Sequence, residues 1–170
     1  GGVAVGPGFA VGRAQTVMYA IAQLKARGEV PSGLRVYLDS PMAVSATELF
    51  QNHLSETRIN RSELHAIAPG TTLVHSVDES KALAPLHGPL VILSASRMAT
   101  GGRVLHHLAL HAGDHRNMII LPGHQAGGTR GARIAAGEKT IRIHGRDVAI
   151  RAEVVQLATA SAHADGDQLV

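Results

Sequence analysis

The 170-residue chain contains no cysteine and no tryptophan, and only two tyrosines and two phenylalanines. Without cysteine there is no disulfide framework, thiolate zinc finger, iron–sulfur cluster or thiol nucleophile. With four aromatics, a platform that reads single-stranded bases by stacking is poorly supplied. Long apolar runs are missing as well. Leu90-Val91-Ile92-Leu93 and Met118-Ile119-Ile120-Leu121 are four residues each, against the roughly 20 that a membrane helix needs, and no basic start precedes an apolar signal core. The expectation is a soluble, cytoplasmic protein with no membrane partner.

What is present is apolar and basic. Hydrophobic residues make up 45% of the chain, enough for the core of one domain. The net charge of +3 is unevenly spread. Between Arg97 and Arg151 nine Lys or Arg face three acids, a net of +6, which leaves −3 for the remainder. Thirteen of the sixteen cations are arginine, whose planar fork suits phosphate. An anionic ligand on the C-terminal half competes evenly with a solvated basic face.

Apolar periodicity alternates between strand and helix. Strands are expected at 3–5, 34–38, 72–74, 89–93 and 117–121, and helices at 12–27, 41–54, 78–86, 101–111 and 129–137. Residues 140–143 and 147–157 alternate as a β-hairpin around His144-Gly145-Arg146. Residues 55–70 are polar and ambiguous. Buried strands alternating with helices predict a doubly wound, mostly parallel α/β sheet, with the strands at 34–38, 89–93 and 117–121 adjacent at its centre. Ligands bind such sheets beyond the carboxyl ends of the strands. Here those ends lead into Gly6-Pro7-Gly8, Asp39-Ser40-Pro41, Ser94-Ala95-Ser96 and Pro122-Gly123-His124-Gln125.

Several segments carry candidate chemistry. Gly6 to Gly12 has a dinucleotide-type glycine spacing, with Asp39 where a ribose-binding acid would stand. Pro7 removes one donor, and turn glycines need no ligand. Gly123 to Gly131 resembles a phosphate loop without its terminal lysine, although its amides and Arg130 could cradle a phosphodiester. His106, His107, His111, His115 and His124 crowd nineteen residues. A histidine pair on a solvent face is the more economical reading than zinc, since Gly113 interrupts the helix and no carboxylate completes a set. Ser161-Ala162-His163-Ala164-Asp165 can pin an imidazole between a hydroxyl and a carboxylate, or simply cap a helix.

As a set, five segments resemble the β-CASP region of metallo-β-lactamase-fold nucleases that process RNA, in the family's order and over nearly the whole chain. They are Gly1-Gly2 with Phe9 to Gln15, Tyr37 to Ala43, Met98 to Leu108, Gly123 to Thr129, and Ser161 to Asp165. The resemblance implies a Rossmann-like cap over residues 1–156, with 157–170 beginning the return to a metallo-β-lactamase domain on which the cap packs. It implies a catalytic role in proton transfer for His163. It further implies substrate contacts at Arg13, Gln125, Gly128, Thr129 and Ser161, with single-stranded RNA held by its backbone. Two zinc ions are expected in the full-length parent, on ligands outside residues 1–170, and none in this piece, which is expected to be inactive alone; homo-oligomerisation is left open. A dinucleotide-binding oxidoreductase domain and a non-catalytic interaction module are the alternatives.

Overall fold

A computed structural model describes residues 1–7, 13–53, 70–96 and 98–157. The strands are β1 (Val3–Pro7), β2 (Arg35–Asp39), β3 (Thr71–Leu73), β4 (Leu90–Ser94), β5 (Met118–Pro122), β6 (Thr140–Ile143), β7 (Arg146–Ala149) and β8 (Glu153–Leu157). The helices are α1 (Arg13–Ala26), α2 (Pro41–Asn52), α3 (Val77–Ala82), α4 (Val104–His111) and α5 (Arg130–Ala135). None of the described helices is long and apolar enough to cross a membrane.

Six strands form one parallel sheet in the order β3-β2-β4-β1-β5-β8. The α/β, doubly wound expectation therefore holds. The strand order differs from expectation in one respect. β2 and β4 are neighbours, but β1 lies between β4 and β5. β1 is short, yet all but one of its residues are buried, and a strand covered on both faces belongs in the middle of a parallel sheet.

Strand alternation builds two cores, one on each face. On β4, Leu90 and Ile92 enter one core with Val3, Val5, Val104, Leu108, Ile119 and Leu121, beneath α3, α4 and α5. Val91 and Leu93 enter the other with Val36, Leu38, Ala14, Met18, Ala43 and Val44, beneath α1 and α2. Two consecutive residues of one strand thus serve opposite faces.

The expected hairpin is only half of what forms. β6 and β7 pair antiparallel around His144 and Gly145, both at positive φ, as a two-residue primed turn requires. The alternation from 147 onward does not continue as one strand. Arg151 and Ala152 donate backbone N–H to Ala112 O, and the chain re-enters the main sheet as β8, parallel to β5. Ile150 and Ala152 are buried on consecutive even positions, which let the apolar alternation run across the break.

At the opposite end of the sheet, buried Asn117 accepts from Val3 N at 2.8 Å and donates to His111 O at 2.9 Å. This side chain ties the start of β1 to the end of α4.

Candidate functional site

The carboxyl ends of the central strands are level with one another. Asp39 registers with Ser94, and Ser94 with Pro7. Ser94 Oγ donates to Asp39 O at 2.8 Å, locking β2 to β4 at their last residues. Because Leu38 packs under α1 and α2, the pleat turns Asp39 to the other face, where α3 and α4 approach.

There Asp39 is wholly buried and closely bound. Ser80 Oγ donates to Oδ2 at 2.6 Å, Arg103 Nη1 to Oδ1 at 2.8 Å, and His107 Nε2 lies 2.6 Å from Oδ2. Burial is the largest influence on this carboxyl and pushes its pKa up. The hydrogen bonds from His107, Ser80 and Arg103, with the charge of His107, outweigh it and hold the pKa below the ordinary 3.8. Asp39 is therefore ionised, and His107 donates to it from Nε2. Ser80 points at the carboxylate and not at the imidazole, so this is not a nucleophile–base pair. It clamps α3 and α4 to the end of β2.

Three sequence readings change here. Asp39 does not stand ready for a ribose, since its oxygens are occupied and inaccessible. His107 and His111 do not share a solvent face. They lie on the stripe of α4 that includes Val104 and Leu108 and are 2% and 8% exposed, whereas His106 and His115 are exposed. The i, i+4 spacing was right for a shared face, but that face turns to the sheet. Arg130 is not an open phosphate clamp. Its Nε donates to Arg142 O at 2.6 Å and its Nη1 to Ala99 O and Thr100 O at 3.3 Å each.

Arg130 instead laces two loops together, helped by Gly131 N donating to Met98 O at 2.9 Å. In the first loop Ala99 is buried at φ 50, and Ser96 and Thr100 share their hydroxyls at 2.8 Å. In the second, Gln125 Nε2 donates to Pro122 O at 3.2 Å. Thr129 caps α5, its hydroxyl accepting from Ala132 N at 3.2 Å and donating to Ala126 O at 2.7 Å. Gly128 takes φ 79 with open space where a Cβ would point. The side chains of Gln125 and Thr129 thus shape the loop internally. Among the described residues, the backbone N–H groups of Gly127 and Gly128 take no partner.

The structure brings Gln125, Gly128 and Thr129 into one loop, beside the loop from β4. Arg13 opens α1, with its side chain outside what is described, and Ser161 and His163 lie outside the described residues. The Asp39–Arg103–His107–Ser80 cluster escaped the sequence reading. Its signal was present as Arg103, the residue before α4, and His107 four residues on, after an acid that ends a buried strand. No group of three or more His, Asp or Glu among the described residues could hold a metal ion. The described residues do not fit a zinc centre.

Comparison with known proteins places this geometry in context. The family model described as the Beta-Casp domain matches residues 14–134. Ribonuclease TTHA0252 of Thermus thermophilus is 37% identical over 177 residues, taking in all of this chain and 40% of that protein. Transcription termination factor FttA of Methanosarcina mazei is 33% identical over 181 residues, all of this chain and 28% of that protein. Integrator complex subunit 11 of Gallus gallus is 26% identical over 165 residues, 97% of this chain and 27% of that protein. The chain spans well under half the length of each.

Proposed function

The chain belongs to the Beta-Casp domain family, and from that premise we propose that it is the RNA-binding cap of a zinc-dependent, metallo-β-lactamase-fold ribonuclease. The observation that carries this reading is the 37% identity, over the entire chain, to a protein named a ribonuclease. The structure supports it physically. Two loops are laced into one unit at the carboxyl edge of the sheet, where ligands of such sheets bind. The partnerless N–H groups of Gly127 and Gly128 suit phosphate oxygens, and the basic excess between Arg97 and Arg151 draws a polyanion toward this half.

In this reading residues 1–156 are the cap and 157–170 begin the return to the catalytic domain. His163 moves a proton near the leaving group, and Arg13, Gln125, Gly128, Thr129 and Ser161 face the RNA. Gln125 and Thr129 contribute by fixing the loop whose amides meet the phosphates. Zinc, held by the catalytic domain, would supply an activated water and charge neutralisation. The 170 residues alone are then inactive.

The test is to assay the 170-residue chain and a form joined to its metallo-β-lactamase domain on labelled RNA, with metal quantified in each. Cleavage that requires both the joined domain and zinc supports the reading. Robust zinc-dependent cleavage by the 170 residues alone overturns the boundary and the metal placement. RNA binding by neither form overturns the function.

A further inference from the structure

A cavity of about 500 Å³ opens between α3 and α4, and its lining includes Ser80, Arg103 and His107, the three side chains that hold Asp39. Lys81, His106 and His144 add three further basic groups, and no acid lines it. The remaining wall is apolar. Four large apolar side chains among the described residues are markedly exposed, and two of them, Val77 and Leu110, at 58% and 56%, stand at this cavity. Neither exposure serves the core. His144, at the tip of the β6–β7 hairpin, stacks on His106 with ring centroids 4.6 Å apart and planes 28° apart, placing flat imidazole surface beside the cations.

Cationic, apolar and stacked imidazole side chains in one lining suit a ligand that joins an anionic phosphate to a planar, partly apolar ring. Its volume falls in the range of roughly 300–1,000 Å³ that small-molecule sites occupy. We propose that this cavity binds a free nucleoside monophosphate, with the phosphate toward Arg103 and Lys81 and the base against the His106–His144 pair. Arg103 remains available to a ligand. Asp39 takes Nη1 at 2.8 Å, while Nη2 has only a 3.4 Å contact to His75 O. Lys81 is largely exposed, with Asp78 at 3.4 Å as its ion-pair partner. Imidazole is among the side chains on which nucleic-acid bases stack, and cationic side chains give charge-assisted hydrogen bonds to phosphate. The cavity adjoins the loop from β4 through Gly102 and Arg103, but Ala99, Thr100, Gln125, Thr129 and Arg130 are not in its lining, and the proposal does not depend on their role in RNA binding.

Isothermal calorimetry of the full chain with each of the four nucleoside monophosphates tests it, with inorganic phosphate and the uncharged nucleosides as controls. The expected result is saturable binding of at least one monophosphate, with phosphate alone and nucleoside alone each at least about tenfold weaker. Lys81→Ala should raise Kd about fivefold through loss of one charge-assisted contact. Leu110→Asp, which sets a carboxylate on the wall, should raise it about tenfold or more. Both positions are exposed, so unchanged thermal unfolding shows that the variants fold. Absence of saturable binding up to about 10 mM, affinity unchanged in both variants, or phosphate alone binding as well as the nucleotide overturns the proposal. RNA cleavage plays no part in the readout, so failure here and failure of the ribonuclease reading are separate results.

Discussion

Asp39 and His107, 68 residues apart in the chain, meet at 2.6 Å in the interior, and Arg103 closes on the same carboxylate at 2.8 Å. Removing the acid leaves two basic groups facing one another with no counter-charge. Asp39→Asn should therefore cost about 3–5 kcal/mol at neutral pH, the usual consequence of breaking a buried pair from one side. Urea unfolding measures this, and a loss under about 1 kcal/mol would show that the clamp contributes little beyond its neighbours' packing.

Acid should weaken the fold in two stages. His111 has its pKa lowered from 6.5, by burial first and then by the charge of His107, with Asp114 opposing. The unfolded chain takes that proton more readily, so the contribution of neutral His111 is complete above 6.5 and drains away as pH falls below it. Asp39, lowered from 3.8, contributes fully above that value and loses its contribution below it. Unfolding midpoints between about pH 7.5 and pH 5 should fall in the native chain and flatten in His111→Gln. An identical slope in both would remove His111 as the cause.

Two glycines should resist even alanine. A Cβ on Gly2 would run into the backbone carbonyl of Arg116, and a Cβ on Gly131 into Gln125 Oε1. The first obstacle is backbone and cannot give way; the second is the end of a side chain. Gly2→Ala should thus lose more stability than Gly131→Ala, the latter in the range of about 1–3 kcal/mol for an overpacked site. Thermal melts of the pair check the order, and the reverse order would contradict the geometry.

Within a form joined to its catalytic domain, His163→Ala should lower RNA cleavage by about 10²–10⁴-fold, the range of a general acid–base group, with zinc content unchanged. Loss of bound zinc in parallel with activity would make His163 a ligand instead.

Arg13→Ala should weaken RNA binding and reduce the salt slope of log K by about one, as one fewer phosphate is neutralised. Fluorescence anisotropy against salt concentration reads both. Weaker binding with an unchanged slope would mean that Arg13 acts through the loop and not on a phosphate.

The sequence by itself determined the family and most of the elements, the single strand expected over 147–157 being the exception. Runs such as Leu90 to Leu93 are too apolar and too short for anything but strands buried on both faces, and the ordered motifs from Gly1-Gly2 to Ser161-Ala162-His163 carried the β-CASP resemblance that the family match bears out. The pairing of β2 with β4 was expected from the sequence, but tertiary structure alone decided that β1 lies between β4 and β5, through contacts more than eighty residues apart in the chain. It also decided what the charged residues face. Spacing places His107 and His111 on one side of a helix, but whether that side meets water or a sheet depends on where the helix packs. Only the folded chain brings Asp39 there, where a buried carboxylate needs every donor within reach.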